Sequence, residues 1–192
     1  MKPTQKLEQE HRTIERVANA CGVFSEMLQN GRKVPADVLR KLVEFLRVYG
    51  QEYHQQEEEW LFSMLRQKGV PNGSCPIAVL SHEDNKLAVL VHQLANAVEA
   101  YSNSAGTVTG TLIDTLRALA ELYPDHIWKE DYLLLPMAEK ILSDGDQQVL
   151  AETLRMIDSA KGAAARQSVQ QFSAAIKLCP ECNNSPQEQR VA

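Results

Sequence analysis

The sequence predicts an all-α protein, an antiparallel up-and-down four-helix bundle with an additional C-terminal helix. Three observations predict it. Apolar residues recur with a helical period almost throughout, strand-like alternation is nearly absent, and glycine, proline and asparagine clusters cut the chain into long pieces joined by short loops. The first helix is expected over residues 4–30, with Leu7, His11, Ile14, Val17, Ala18, Cys21, Phe24 and Leu28 on one stripe and Asn30-Gly31 as its stop. The second runs from 35 to 68, with Leu39, Leu42, Val43, Leu46, Tyr49, Tyr53 and Leu61 on its apolar side. Residues 69–73 form a loop, a third helix spans 76–101, and a second loop covers 102–106. The fourth helix spans 108–142, with kinks or breaks expected at Pro124 and Pro136. A fifth spans 145–176 and is weakened at Gly162. In domain terms, residues 4–143 make the bundle and 144–177 a helix packing on or extending it. Residues 178–192 make a flexible tail carrying Cys179-Pro180-Glu181-Cys182.

Length and charge narrow the function classes. A chain of 192 residues defaults to one domain that can bury a core without disulfides. Apolar residues are 44% and charged residues 23%, as in soluble globular proteins. A net charge of -5 without a basic cluster argues against nucleic acid as a partner. No apolar run approaches the ~18 residues of a membrane span, and the polar first ten residues lack the apolar core of a secretory signal. The four cysteines are too few and too scattered for a disulfide framework. A cytoplasmic location is the simplest reading.

The chemistry lies in a repeat. His11 is followed 43 positions later by His54, which opens His-x-x-x-Glu with Glu58. His82 is followed 44 positions later by His126, which opens the same motif with Glu130. Four of the five histidines are used in this way. Residues i and i+4 share a helix face, so each motif aims an imidazole and a carboxylate at one point. Antiparallel packing brings His11 to the later part of the second helix and His82 to the fourth, so all six groups can lie at one level. Six nitrogen and oxygen ligands suffice for two metal ions. Mixed imidazole and carboxylate ligation suits iron, manganese or zinc. His92 falls about 80° around the helix from His82 and about 15 Å along it, and is read as outside the site. Tyr53, Trp60, Phe62, Tyr132 and Leu134 are read as core around the site.

Single His, His-x-x-x-Glu, single His, His-x-x-x-Glu on four helices resembles the hemerythrin-like (HHE cation-binding) domain family. The resemblance covers residues 4–143 and includes the flanks Glu58-Glu59-Trp60-Leu61-Phe62 and Glu130-Asp131-Tyr132-Leu133-Leu134. It implies two non-heme iron ions in an oxo- or hydroxo-bridged pair. His11, His54, His82 and His126 would be terminal ligands and Glu58 and Glu130 bridging carboxylates. It also implies dioxygen, peroxide or nitric oxide as small ligands, with a role in sensing, storage or detoxification. The oxygen-carrying members place a second histidine four residues after the first on the third helix, where this chain has Lys86. They also use an Asp five residues after the last histidine, a position occupied here by Asp131, which stands as the alternative to Glu130. The missing histidine leaves more open metal positions and favours redox reactivity or labile iron binding over reversible oxygen carriage.

Several readings stay open. Lys86, Asp131 and Glu59 are candidates for outer contacts to the metal pair. Cys179 and Cys182 have the spacing of half a zinc or iron knuckle, or of a redox dithiol. The same site would serve an enzyme with peroxidase-like or nitric-oxide-reducing activity, or an iron-responsive interaction module. Residue types do not separate these, because each needs the same metals.

Overall fold

The computed structural model describes residues 1–71, 73, 76–104 and 110–177. Five helical rods follow one another, and there is no strand among the described residues. The first rod is α1 (Pro3–Gln29). The second comprises α2 (Ala36–Phe45), a π-helical segment Leu46–His54 and α3 (Gln55–Gln67). The third is α4 (Ile77–Asn103). The fourth comprises α5 (Gly110–Lys129), a π-helical turn Glu130–Leu134 and α6 (Leu135–Ile141). The fifth comprises α7 (Asp144–Ile157), a π-helical turn Asp158–Gly162 and α8 (Ala163–Lys177). No helix is long and apolar enough to cross a membrane among the described residues.

The stops are those that the breakers predict. Gly31 takes φ 73, Arg32 N–H donates to the Met27 carbonyl at 2.9 Å, and Gly31 N–H donates to Leu28 at 3.1 Å. Gly69 takes φ 92 and closes α3 in the same way on Leu65 and Arg66. Only glycine enters this left-handed region cheaply, and the two bonds satisfy carbonyls the helix end leaves open. The helix runs on through Pro124, whereas the chain widens into a π turn just before Pro136. Pro136 has no N–H for the carbonyl four residues back, so register is lost there. Gly162 closes the third π turn, because a Cβ there would sit 2.2 Å from Asp158 Oδ1.

α1 packs along α5, α4 packs on both α5 and α2, and the second rod closes the bundle. Phe24, Leu39, Leu42, Phe45, Leu46, Leu61, Leu80 and Leu94 are fully buried between them. Each such side chain stabilises the fold by about 1.5–3 kcal/mol. The fifth rod lies antiparallel along the second, α7 against α3 and α8 against α2. Phe172 packs on Phe45 with ring centroids 6.2 Å apart, Lys161 donates to the Glu52 carbonyl at 2.9 Å, and Lys68 pairs with Asp146 at 2.6 Å. Phe62, Leu134 and Tyr53 are core as expected. Trp60 and Tyr132 are not: they are 47% and 66% exposed, and Tyr132 stacks on Trp128 at the surface. The residues beyond 177, with Cys179 and Cys182, lie outside the described part.

Candidate metal centre

Two of the three π segments deliver site residues. The first ends on His54 and the second begins on Glu130. An extra residue in a helical turn re-aims the side chains around it, which is why such segments collect at functional sites. His11, His54, Glu58 and Glu130 are all buried, with one potential ligand atom from each within 4.8 Å of the others. Glu58, Asp84 and His126 form a second group on the same criterion. The two groups share Glu58. His54, Glu58, Asp84, His126 and Glu130 face a common cavity of about 30 Å³, also lined by Ile14, Gly50, Gln51, Gln55, Leu87, Tyr123 and Ile127.

The structure brings together five of the six residues predicted as ligands; His82 is in neither group. His82 is exposed on α4, and Asp84 takes the place expected for it. The helix period explains the difference. Leu80, Leu87, Val91 and Leu94 line the buried face of α4. At about 100° per residue, position 84 falls within about 60° of Leu80 and Leu87, while position 82 faces away. Lys86 is exposed as well, and so is Glu59. Asp131 lies behind His11, with its Oδ1 2.5 Å from the outward Nδ1, and is in neither group.

Three imidazoles are oriented by carboxylates behind them. His11 Nδ1 lies 2.5 Å from Asp131 Oδ1, His54 Nδ1 lies 3.0 Å from Glu10 Oε2, and His126 Nδ1 lies 3.1 Å from Glu83 Oε2. With Nδ1–H donated outward, each Nε2 is left as the inward group, which is how metal-binding histidines are fixed. His126 Nε2 faces Glu130 Oε1 at 2.8 Å and Asp84 Oδ1 at 3.3 Å, and His11 Nε2 faces Glu130 Oε2 at 3.2 Å. His11 Nε2, His54 Nε2, Glu58 Oε1 and both Glu130 oxygens are buried without a hydrogen bond. Burying so many unpaired polar atoms at one point is costly unless a cation accepts them. The donor set therefore fits a metal.

The orienting carboxylates follow a pattern that sequence spacing did not expose. Glu10 precedes His11 and holds His54, and Glu83 precedes Asp84 and holds His126. Each is backed by a lysine, Lys6 at 2.5 Å from Glu10 and Lys129 at 2.9 Å from Glu83. Asp131, one residue after Glu130, holds His11. The matching residue in the other half is Glu59, one after Glu58. An imidazole at position 84 could donate to it, but the Asp84 carboxylate only accepts, and Glu59 is left in solvent.

Protonation follows burial and these partners. Burial pushes the Glu58 carboxyl well above its usual range, and the nearby Glu130 adds to this. Burial works the same way on Glu130, but His126, Glu58 and His11 together hold it below the carboxylate range. Burial disfavours the His126 cation, yet Glu130 and Asp84 outweigh it and push His126 up to about 11. His11 is also raised, because Asp131 and Glu130 overcome its burial. A cation entering this site must displace those protons.

A third cluster, Glu10, His54 and Glu57, already contains a cation. Lys6 Nζ donates to both Glu57 oxygens at 2.6 and 2.8 Å, to Glu10 and to the Tyr53 hydroxyl at 3.0 Å. One ammonium cannot neutralise two buried carboxylates. Glu57 therefore keeps its proton, driven by burial and then by Glu10 to about 9, while Glu10 ionises at about 2 against its own burial because His54, Glu57 and Lys6 favour its charge. Tyr53 Oη also lies 3.1 Å from Asp158 Oδ1, which ties this network to the fifth rod.

A family comparison matches the geometry. Residues 2–138 match the model of the hemerythrin HHE cation binding domain. The chain belongs to that family. Among curated proteins it is similar to the uncharacterized protein Mb2018 of Mycobacterium bovis and the uncharacterized protein Rv1995 of Mycobacterium tuberculosis. Each is 24% identical over 150 residues, covering 78% of this chain and 58% of the relative. The chain thus spans little more than half the length of those relatives. No solved structure matches it. As a hemerythrin HHE domain it is a cation-binding protein, and the buried His/Glu cluster is compatible with that role.

Proposed function

We propose that this hemerythrin HHE domain holds two iron ions and through them binds dioxygen or a related small oxidant, in sensing, storage or detoxification. The observation that carries the reading is the set of buried, unpaired, inward-pointing atoms on His11, His54, Glu58 and Glu130, continued by Asp84 and His126. Glu58 belongs to both groups and would bridge them. Glu130, with one oxygen at His11 and the other at His126, would be the second shared carboxylate; His11 and His54 would complete one metal site, and Asp84 and His126 the other. A bound iron pair would supply open positions and redox capacity for a small ligand.

The chain's own residues do the rest. Asp131, Glu10 and Glu83 fix the imidazoles so that no rearrangement is needed on loading. Ile14, Leu87 and Ile127 keep the cavity apolar around the polar site, and its small volume limits the occupant to a few atoms. A wider cavity of about 460 Å³, between α3 and α4, meets the small one at Gln55 and Asp84. An opening between Gln55 and Asp84 would give a small molecule a route from solvent to the cluster.

The test is the visible spectrum of the ferrous-loaded chain before and after dioxygen, peroxide or nitric oxide, with metal content measured in parallel. A new absorption band that depends on both iron and the added molecule supports the reading. Iron retained with no spectral response to any of the three would sink it.

A further inference from the structure

Gln51 and Tyr123 line the cavity beside the metal cluster, and the side-chain donor of each has no partner among the described residues. Gln51 lies three residues before His54, and Tyr123 lies three residues before His126. Residues three apart share a helix face, so each stands one turn above a site histidine on the side that faces the cavity. Both residues line it. The Gln51 side-chain nitrogen is shut off from solvent and has no hydrogen-bond partner. Tyr123 is 4% exposed, and its hydroxyl makes no hydrogen bond with a described residue. Gly50 leaves the space open, since a Cβ there would lie 3.3 Å from the Tyr123 oxygen. The remaining walls are the apolar Ile14, Leu87 and Ile127, the site residues His54, Glu58, Asp84, His126 and Glu130, and Gln55, which also lines the wider cavity.

Leaving the buried Gln51 amide unpaired costs stability, and the matching positions of Gln51 and Tyr123 in the two halves argue against accident. Resting on the metal-centre reading above, we propose that Gln51 and Tyr123 form a donor pair that selects a small anionic ligand at the cluster, one that accepts hydrogen bonds from both. Neither residue is needed to hold the metal. They act on what the metal holds, favouring a ligand with negative charge away from the metal over a neutral one of the same size. The two donors thus set specificity, while the carboxylates and imidazoles set metal content.

The test uses the full chain loaded with ferric iron, with sodium azide as the probe anion and absorption as the readout. Gln51→Leu and Tyr123→Phe each remove one donor with little change of shape. Both variants are expected to keep the wild-type metal content and to bind azide about tenfold more weakly, a hydrogen bond to a charged acceptor being the interaction lost. Gly50→Ala, which crowds the phenol, is expected to weaken azide binding by a smaller factor. Without metal, Tyr123→Phe is expected to melt no lower than wild type, since it removes an unpaired polar group, whereas a purely structural role would lower the melting temperature. Azide affinity within about twofold of wild type in both donor variants, with metal retained, would overturn this inference and leave the metal-centre reading standing. A wild-type tyrosinate-to-iron band that Tyr123→Phe abolishes would also overturn it, by making the phenol a ligand. A chain that keeps no metal would overturn both readings.

Discussion

Replacing Asp84 by Ala separates the two possible assignments on α4. Asp84 supplies one of the three side chains in the Glu58, Asp84 and His126 group, and it faces His126 Nε2 at 3.3 Å. Changing an outer partner of a metal ligand typically lowers affinity by about 10–100-fold. Loss of a ligand removes a bond and a negative charge together, so about 100-fold is a floor for the Asp84 side of the cluster. That is about 2.7 kcal/mol. Asp84→Ala should therefore fall from two irons to one after desalting against a weak chelator, and His82→Ala should keep both. Asp84→His should keep two, because the repeat provides Glu59 as the partner for a second imidazole nitrogen at that position. Without metal, Asp84→Ala should melt no lower than wild type, since it thins a crowd of buried carboxylates. The assay is metal content with competitive titration on the three variants. Two irons at unchanged affinity in Asp84→Ala, or one iron lost in His82→Ala, would refute the reasoning.

Other outcomes follow from the same structure. Metal uptake should release protons at neutral pH, because His126 stays protonated up to about 11 in the metal-free chain; affinity should fall as pH falls, which indicator-dye titration would show. Glu10 ionises at about 2 against the usual 4.5 of a glutamate, so its contribution to metal-free stability is complete above 4.5 and is lost as pH falls toward 2; denaturant melts across that window would check it. Lys6→Met should cost about 2–3 kcal/mol in denaturant unfolding, toward the low side for a broken buried pair because Lys6 is 23% exposed. Phe172→Ala should cost about 3–4 kcal/mol by loosening α8 from α2, with metal content unchanged.

The helices and their stops were legible because their signals are local. Periodicity placed the rods to within a few residues, and Gly31 and Gly69 mark their ends by the one backbone conformation that favours glycine. The His-x-x-x-Glu motifs were legible for the same reason, since i and i+4 geometry needs no tertiary information. His82 lies on the exposed face of its helix, since equal spacing along the chain carries no information about the helix face. The apolar stripe of Leu80, Leu87 and Val91 pointed to position 84. Glu10, Glu83 and Lys6 were missed because an orienting carboxylate comes from a different helix, and nothing in the spacing announces which one. Gln51 and Tyr123 could have been found by stepping three residues back from each histidine in the repeat. The exposure of Trp60 and Tyr132 is a packing outcome: both follow the site glutamates by two residues, which turns them away from the centre.

The most direct test of the metal-centre account is a crystal of the iron-loaded chain with anomalous difference density at the iron edge. The account predicts two peaks flanking Glu58 and Glu130, one beside His11 and His54 and the other beside Asp84 and His126. A peak beside His82, or no peak within the cluster, would contradict it.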